Sequence, residues 1–369
     1  MSFLKKNLPA FLFLAFLAAV VIWNFCTPDR AFSEAENRPL AGRPALSLDT
    51  IKSGDFMKQF DTWLSDQFAG RDLWVGMKAG FATNLGQRES GGIYLAGDRL
   101  IPRVDEPDAK LLEANLSAVE TLRDKSPAPV TLMLVPSAAA VYSELLPKGA
   151  PSYDEGAFLQ QASERFGADF CTPYPLLSDH REEELYYRTD HHWTTLGAYY
   201  GYRTLAEALD LSPLPLDLEK VVSDHFRGTS VSASGLYDWP PDRIIQRVEE
   251  PEGLAVTRTE GGVSTKGSLY DFSALDQKDA YRFFLGGNHP LITLETGHDG
   301  PRLLVVRDSY FNSLVPYLLP HFSSITLVDL RYYRDGMAAL LENCQADQVV
   351  VAFSVSNFIS DANLVLAGT

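Results

Sequence analysis

Basic residues are scarce in this chain of 369 residues. It carries 32 lysines and arginines against 48 aspartates and glutamates, which gives a formal net charge of −16. The basic residues form no run, and an acidic surface of this kind repels the phosphates of a nucleic acid. We therefore expect no nucleic-acid partner, whereas neutral or transiently bound glycans are compatible with this surface.

Cysteine is scarce as well, with three residues in the chain. Cys26 ends an apolar segment, and we interpret it as an apolar residue near the edge of a membrane. Cys171 and Cys344 each lie beside a strand-like run, and an exported compartment would permit them to pair. Sequence does not give their separation, so the disulfide stays open. Internal repeats and low-complexity tracts are absent too.

A long apolar segment without charge covers residues 7–28 and follows Lys5 and Lys6. It is long enough to cross a hydrocarbon core of about 30 Å as a helix. The two lysines would stay on the cytoplasmic side, so that the rest of the chain is exported. A cleavable signal peptide is the alternative, but no A-x-A site follows the segment. The sequence favours an uncleaved single-pass anchor in the cell membrane with an extracytoplasmic body.

The rest of the chain is rich enough in apolar residues to fill a sizeable core, with 46% apolar and 11% aromatic residues overall. We assign residues 1–28 to a cytoplasmic tip and transmembrane signal-anchor, 29–49 to a polar linker and 50–369 to one catalytic domain. Within that domain, 212–300 is rich in Pro, Gly, Ser and charged residues and has weak periodicity. We interpret it as an irregular insertion of turns and short strands.

Helical and strand-like patterns alternate along the predicted domain. Apolar residues recur at helical spacing over residues 56–81, which predicts two helices. Short apolar runs at 302–306, 324–328 and 347–353 predict buried strands, and a helix-like stretch joins the first two. This alternation predicts an α/β fold, a parallel sheet with helices on both faces that form a three-layer α/β/α sandwich.

Four residues before a tyrosine-rich helical pattern carry chemistry: Asp190, His191, His192 and Trp193. Aspartate at this position suits the cap of a helix. Aspartate and histidine are also metal ligands, and they form the acid–base half of a catalytic triad. The four residues alone leave capping, metal binding and catalysis open.

The other half of a triad follows the strand-like run 302–306. Ligands of such sheets lie at the carboxyl ends of strands, and Ser309 falls there, at the start of the next helix, where free N–H groups favour an oxyanion. The plain alternative is that Asp308 caps the helix and Ser309 has no special role. Taken together, Ser309 would be the nucleophile, His192 its base and Asp190 the carboxylate that orients the imidazole.

Several motifs resemble the bacterial DHHW family, which is similar to the SGNH-hydrolase-like domain of the alginate O-acetyltransferases. The resemblance rests on "TDHHW" before the tyrosine-rich helix and on "VVRDSYFNSLVPYL" running into "ITLVDLRYY". The segments "SEAENRPLAGRP", "DTWLSDQFAGRDLW", "FRGTSVSASG" and "FLGGNHP" fit the same pattern. The resemblance implies an SGNH-like fold for the exported part of the chain.

The resemblance also implies roles for single residues. Asp190, His192 and Ser309 match the catalytic positions, whereas His191 occupies a variable position and receives no catalytic role. Two departures stand out: the Asp–His pair precedes the serine, and Arg307 replaces the glycine of the usual Gly-Asp-Ser block. The Ser309 N–H is expected in the oxyanion hole, with Asn288 and Asn312 as further candidate donors.

The implied activity is O-acetyl transfer to a cell-surface or secreted polysaccharide through an acetyl-serine intermediate. A multi-span membrane acyltransferase would supply the acetyl group, and we expect no cofactor and no metal. A carbohydrate acetylesterase and a non-catalytic glycan-binding protein are the alternatives on the same fold. A metal-dependent phosphoesterase is a further rival, because Asp-His-His also occurs in two-metal sites.

Overall fold

The computed structural model describes the backbone of residues 2–369 and the side chains from residue 7 onward. Contacts divide the chain into two compact units, which we call the N-terminal unit (1–91 with 232–238) and the sheet unit (92–231 with 239–369). The predicted domain boundaries after residues 28 and 49 rest on composition and stay predictions. Lys5 and Lys6, on which the predicted orientation depends, lie outside the described side chains.

The N-terminal unit is largely helical. Its elements are α1 (Ser2–Cys26), β1 (Phe32–Ser33), β2 (Arg38–Pro39), α2 (Leu48–Ser53), α3 (Asp55–Asp66), α4 (Arg71–Asn84) and β3 (Glu89–Ser90). Helices α3 and α4 confirm the predicted helix pair. Within α1, Asn7–Cys26 is long and apolar enough to cross a membrane, with a mean hydropathy of 2.2 and none of it buried. This helix is compatible with a single-pass anchor or with a signal sequence.

The predicted linker is fixed to the helices by ion pairs. Arg38 donates to both carboxylate oxygens of Asp66, at 3.0 and 2.6 Å, and the Ala41 N–H donates to the same group at 2.9 Å. Glu36 bridges Arg38 and Arg71 at 2.6 and 2.7 Å. The hydrogen bonds from Arg38 lower the pKa of Asp66 to about 2. This segment is therefore held against α3 and does not extend as a free tether.

The sheet unit contains the remaining strands and most of the remaining helices. The strands are β4 (Ile93–Ala96), β5 (Arg99–Pro102), β6 (Val130–Val135), β7 (Phe170–Cys171), β8 (Lys220–Phe226), β9 (Asp242–Gln246), β10 (Ala255–Glu260), β11 (Val263–Gly267), β12 (Leu291–Glu295), β13 (Arg302–Arg307), β14 (Ser324–Val328) and β15 (Gln348–Ser354). The α-helices are α5 (Ala109–Lys125), α6 (Ala138–Val141), α7 (Glu155–Phe166), α8 (Tyr174–Asp179), α9 (Thr195–Ala208), α10 (Thr229–Ser234), α11 (Val315–Leu318), α12 (Met337–Cys344) and α13 (Val355–Phe358).

Short 3₁₀ helices complete the fold. They are Ser143–Leu145, Gly167–Asp169, Phe272–Ala274, Ala280–Phe283, Ser309–Ser313, Leu319–His321 and Leu364–Gly368. The prediction of a single helix between β13 and β14 is therefore wrong, because two 3₁₀ helices flank the four residues of α11. Proline explains the interruption, because Pro316 and Pro320 lack the N–H that a continuous helix needs.

Eight strands form the main sheet in the order β11-β10-β12-β14-β13-β15-β6-β7. The five strands from β14 to β7 are parallel, whereas β12 pairs antiparallel with β14 and β10, and β11 pairs antiparallel with β10. The predicted α/β fold is confirmed, with one correction: the sheet is mixed rather than parallel.

The antiparallel strands come from the predicted insertion, 212–300. This segment is therefore less irregular than expected, because β10, β11 and β12 extend the main sheet. Strand β11 is exposed along nearly all its length, and β10 and β12 are only partly buried. Strands at the margin of a sheet need no continuous apolar run, which is why their sequence resembles loops.

The order of connections predicts a crevice near the carboxyl end of β13. The chain leaves β13 toward β14 on one side, whereas it leaves β6 toward β7 on the other. Because parallel crossovers are right-handed, opposite directions place the connecting helices on opposite faces and open a crevice between the strand ends. The strands that support this edge are fully buried at their centres, as at Val305 and Val350. Cys26, Cys171 and Cys344 are all free thiols, which answers the open question of the disulfide.

Candidate active site

Asp190, His192 and Ser309 lie together at the carboxyl end of β13. The Ser309 Oγ is 2.8 Å from Nε2 of His192, and Nδ1 of His192 is 2.6 Å from Oδ1 of Asp190. The three residues are at most 8% exposed. This relay of hydroxyl, imidazole and carboxylate is the arrangement in which an imidazole accepts the hydroxyl proton while a carboxylate fixes its tautomer.

The Asp190 carboxylate is held by the start of α10. Its Oδ2 accepts hydrogen bonds from the N–H and the hydroxyl of Thr229, at 2.7 and 2.9 Å. Gly228 comes so close that a Cβ atom there would lie 2.2 Å from this oxygen, so a side chain at position 228 is excluded. Burial alone raises the pKa of Asp190, but the imidazoles of His191 and His192 and the hydrogen bonds outweigh it and hold the pKa well below the ordinary value.

Two hydrogen bonds tie the histidine loop to the serine loop. The indole N–H of Trp193 donates to the Tyr310 carbonyl at 2.8 Å, and the Tyr310 hydroxyl donates to the His191 carbonyl. Trp193 is fully buried and packs on α9 at Gly201, where a Cβ atom would lie 2.5 Å from the indole ring. The tryptophan that follows Asp-His-His therefore joins segments that are 117 residues apart in the chain.

The His192 imidazole is stacked on the ring of Tyr281. The ring centroids are 3.8 Å apart and the planes differ by 8°. The Tyr281 hydroxyl donates toward the Ser309 carbonyl at 3.3 Å and the Ser313 Oγ at 3.2 Å, so this side chain contacts both halves of the site. A stacked ring restricts the imidazole to one plane, and the face of a phenol ring attracts a positive charge that forms on its neighbour.

His191 lies beside the relay and is not part of it. Its ring centroid is 3.8 Å from that of His192, and its Nδ1 is 2.7 Å from the Thr229 hydroxyl. Because that hydroxyl donates to Asp190, Nδ1 of His191 is the donor in this bond. Burial and the neighbouring imidazole lower the pKa of His191 to about 4, so it is neutral at physiological pH.

Asp308 fixes the backbone directly before Ser309. One carboxylate oxygen accepts from the Tyr310 N–H at 3.0 Å, as a helix cap does. The other oxygen accepts from the N–H and hydroxyl of Ser354 and from the Asn357 amide, at 2.8 to 2.9 Å. Asp308 therefore caps this 3₁₀ helix, as the plain alternative predicts, and Ser309 nevertheless contacts His192 in the relay.

The two candidate oxyanion asparagines contact each other. The Asn288 Oδ1 accepts from Arg307 at 2.8 Å and from the Asn312 amide at 3.2 Å. Arg307 is fully buried, with Asp329 at 3.8 Å and its Nε and Nη2 groups unpartnered in the described part of the chain. Since both lone-pair directions of its carbonyl oxygen are used, the amide of Asn288 is oriented with its NH₂ group away from Arg307.

The Asp190, His191 and His192 side chains are also close enough to form a metal cluster, with one ligand atom of each within 4.8 Å of the others. Their donor atoms, however, are engaged with protein groups. Asp190 accepts from Thr229 and His192, and His192 contacts Asp190 and Ser309 through its two nitrogens. A metal would have to displace these hydrogen bonds, so the donor set fits a proton relay better than a metal centre.

A groove of about 1220 Å³ lies over the antiparallel side of the main sheet. Alternate residues of β12 and β14 form its floor: Leu291, Thr293, Glu295, Ser324 and Thr326. The segment after β14 also lines the groove, and Tyr332 there is 52% exposed. Pro290 also lines the groove and follows Asn288 by two residues in the chain.

Sequence reasoning pointed to the three relay residues and missed several of the residues that hold them. Tyr281 lies in no motif that suggests a role, and Arg307 was noted only as a departure from the family pattern. Gly228 and Thr229 lie in "FRGTSVSASG", which the family resemblance includes without assigning a function. A useful signal was the glycine of that segment, because a glycine before a helix often permits a close approach of the backbone.

Comparisons with known proteins agree with the motifs. Residues 157–328 match the family described as DHHW protein. A probable alginate O-acetylase AlgJ of Pseudomonas fluorescens is 24% identical over 278 residues, which cover 71% of this chain and 67% of that protein. A protein of the same description from Pseudomonas putida is 27% identical, over 45% of this chain and 46% of that protein.

Solved structures share the fold at low sequence identity. A DHHW family protein from Eubacterium siraeum superposes with a TM-score of 0.62 and 20% identity, over 75% of this chain and 95% of that one. PatB1 of Bacillus cereus, solved with a sulfonyl adduct, gives a TM-score of 0.57 and 20% identity, over 73% and 97%. The predicted resemblance is thereby confirmed: residues 157–328 match the DHHW family, the α/β fold is shared with these structures, and the chain is similar to alginate O-acetylases.

Proposed function

We propose that the protein is an extracytoplasmic O-acetyltransferase that acetylates a cell-surface or secreted polysaccharide through an acetyl ester on Ser309. The observation that carries the proposal is the buried relay, with 2.8 Å between Ser309 Oγ and His192 Nε2 and 2.6 Å between His192 and Asp190. The similarity to alginate O-acetylases supports acetyl as the transferred group and a polysaccharide as the acceptor.

The reaction proceeds in two half-reactions. The Ser309 Oγ attacks the acetyl carbonyl of the donor while Nε2 of His192 takes the hydroxyl proton. The tetrahedral intermediate collapses, the donor's leaving group receives that proton, and the acetyl-serine remains. A glycan hydroxyl then gives its proton to His192 and attacks the ester, which releases the O-acetylated glycan and restores Ser309. Asp190 stabilises the imidazolium in both halves.

We assign the oxyanion contacts to the Ser309 N–H and to the Asn288 amide. The carbonyl of Asn288 is held by Arg307 and Asn312, which leaves its NH₂ group as the donor. Asn312 is then a positioning residue that acts through Asn288. One well-placed oxyanion donor contributes about 10²–10³ in kcat in acyl-transfer enzymes, so this assignment is measurable.

The groove is the proposed binding site for the glycan acceptor. Its floor of hydroxyl, carboxylate and aliphatic side chains and its exposed Tyr332 are suited to sugar hydroxyls and to the apolar face of a sugar ring. Pro290, two residues after Asn288, lines the groove, and we propose that a chain lying in it brings one hydroxyl toward Ser309. Anchoring by α1 would place both at the outer face of the membrane, where a multi-span acyltransferase would supply acetyl groups.

The test is to find the acetyl group on Ser309. Purified full-length protein in detergent is incubated with 4-nitrophenyl acetate, and peptides are examined by mass spectrometry. We expect a mass gain at Ser309 that disappears in Ser309→Ala and in His192→Ala. Failure of the wild-type protein to gain this mass would overturn covalent catalysis.

A second measurement separates transferase from esterase. The acetylated protein is mixed with alginate oligosaccharides or with neutral glucan oligosaccharides, and the products are analysed. We expect O-acetylated oligosaccharide, with less of it from Tyr332→Ala than from Phe272→Ala, a matched aromatic that is also 52% exposed but lies outside the groove. Release of acetate with no acetylated glycan under any condition would identify a carbohydrate acetylesterase, since water and sugar compete for the same acyl-enzyme.

A further inference from the structure

Helix α4 carries a row of apolar side chains on its exposed face. Leu73, Met77 and Phe81 of α4 and Leu85, the C-cap residue that follows it, are spaced four residues apart and are 58%, 56%, 67% and 73% exposed. Residues four apart lie on one face of a helix, so the four side chains form a stripe. Single exposed apolar residues are ordinary, whereas a continuous stripe of large ones marks a surface that contacts something apolar.

The opposite face of α4 is already occupied within the N-terminal unit. A Cβ atom on Gly76 would lie 3.4 Å from the Tyr237 ring, and one on Gly235 would lie 2.9 Å from Val75. The helix therefore packs on residues 232–238 with one face and presents the stripe with the other. The stripe is therefore separate from the face through which α4 packs within the N-terminal unit.

The start of α4 is fixed to the apolar helix α1. The Trp23 ring lies so close to Gly70 that a Cβ atom there would be 2.4 Å from it. The Asn24 side chain accepts a hydrogen bond from the Ala69 N–H at 2.9 Å. Trp23 and Asn24 belong to the last turn of the segment that is long enough to cross a membrane, Asn7–Cys26. If this segment crosses a bilayer, α4 begins at the level where it leaves the hydrocarbon core.

We propose that α4 lies on the outer surface of the bilayer that holds α1, with Leu73, Met77, Phe81 and Leu85 inserted at the boundary of headgroups and acyl chains. The occupant of the stripe is thus lipid, as it is for amphipathic helices that lie in a membrane interface. The inference rests on the anchoring by α1 and adds a second, lateral membrane contact. It does not depend on the chemistry at Ser309.

The experiment uses full-length protein in vesicles of equal parts phosphatidylcholine and phosphatidylglycerol. A nitroxide is attached through Phe81→Cys or, as a matched control, through Val263→Cys, which is 65% exposed in the sheet unit. Both variants carry Cys26→Ala, Cys171→Ala and Cys344→Ser so that only one thiol reacts. At position 81 we expect frequent collisions with oxygen and loss of collisions with a water-soluble nickel complex. At position 263 we expect the reverse.

A nitroxide at position 81 that meets the nickel complex as often as the one at 263 would overturn the proposal. A second measurement covers the case in which the cysteine-free chain folds poorly: p-benzoylphenylalanine replaces Phe81 in native membranes and is photoactivated. Crosslinks to lipid support the proposal, whereas crosslinks to a membrane protein would assign the stripe to a protein partner instead. Acetylation of Ser309 is measured on the same samples, so failure of the proposed function is recognised separately.

Discussion

The two units of the chain are stabilised by different interactions. Between residues 27 and 91 the N-terminal unit leaves eleven large apolar side chains exposed, whereas the much longer sheet unit leaves seven. The N-terminal unit is tied by ion pairs such as Arg38–Asp66 and Arg30–Asp72, at 2.6 and 2.9 Å. The sheet unit is built on strands whose central residues are completely buried.

The two units therefore have different proposed roles: the sheet unit carries out the reaction, and the N-terminal unit contacts the membrane. Every residue of the proposed relay and oxyanion site belongs to the sheet unit, where burial fixes side chains within hydrogen-bond distance. The N-terminal unit contributes none of them and presents apolar surface instead. Substitutions in the sheet unit should therefore change the reaction, whereas substitutions on the stripe of α4 should change membrane contact and leave the acyl-enzyme step unchanged.

The largest effect is expected from the nucleophile. Ser309→Ala should lower acetyl transfer by at least about 10³-fold, because the covalent route is lost while the fold keeps its core. Phe81→Ser, on the stripe of α4, should leave acetylation of Ser309 within twofold of the wild-type rate. Single-turnover transfer from 4-nitrophenyl acetate measures both, with thermal melting as the control for folding. Equal losses in the two variants would contradict the separation of the units.

A pair of glycines tests the same contrast through the backbone. Gly228→Ala places a Cβ atom 2.2 Å from the Asp190 carboxylate, so the carboxylate must move and acetyl transfer should fall by about 10²-fold or more. Gly80→Ala, in α4, meets no atom within 4 Å. There the better helix propensity of alanine should stabilise the unit by about 0.5–1 kcal/mol and leave activity unchanged. Activity assays and chemical denaturation decide; an active Gly228→Ala enzyme would show that Gly228 does not set the position of Asp190.

The aromatic stack on His192 should have an intermediate effect. Tyr281→Phe keeps the ring and loses the hydrogen bonds to Ser309 and Ser313, so we expect at most about a tenfold loss in kcat. Tyr281→Leu removes the ring and should lower kcat further and move the acid limb of the pH–rate profile. A purely structural role would lower stability in both variants without moving that limb.

The smallest effects concern pH and have opposite signs in the two units. Burial raises the pKa of Glu155 in the sheet unit to about 7, although the hydrogen bonds from Ser137 oppose the shift. The folded state then holds this proton more tightly than the unfolded state, so stability falls as pH rises from about 4.5 to 7. Glu155→Gln should remove this fall and stabilise the protein by about 1–3 kcal/mol at pH 8, with little change at pH 4.

Asp66 in the N-terminal unit behaves in the opposite way. Its lowered pKa of about 2 means that the pairing with Arg38 stabilises the folded state at neutral pH and is lost as the pH falls through about 4 to 2. Asp66→Asn should lower the free energy of unfolding by about 1 kcal/mol at pH 7, a modest amount because Arg38 is partly exposed and solvent screens the pair. At pH 2 the substitution should change it very little, because protonation of Asp66 weakens the pair in the wild type as well. Denaturation curves at both pH values test the two substitutions side by side; the same sign of pH dependence in both would contradict the pKa shifts.

Much of the fold follows from local sequence patterns. The apolar segment of α1, the helix pair α3 and α4 and the buried strands β13, β14 and β15 were predicted because each has its own period or apolar run. Short strands were predicted in the insertion, but the addition of β10 to β12 to the main sheet was not, because exposed strands at a sheet margin have no such pattern. The break in the helix after β13 was also missed, although its two prolines indicate it.

The residue types that the chemistry needs can be read from the chain: "TDHHW" and "RDSYF" contain Asp190, His192 and Ser309, and family resemblance connects them. Their distances, in contrast, depend on the packed fold. His192 and Ser309 are 117 residues apart in the chain, and their contact depends on Trp193, Tyr310 and the register of buried strands. The ring of Tyr281, the close approach of Gly228 and the hydrogen bonds to Asn288 have no local signal, because each is a contact between segments that only packing brings together.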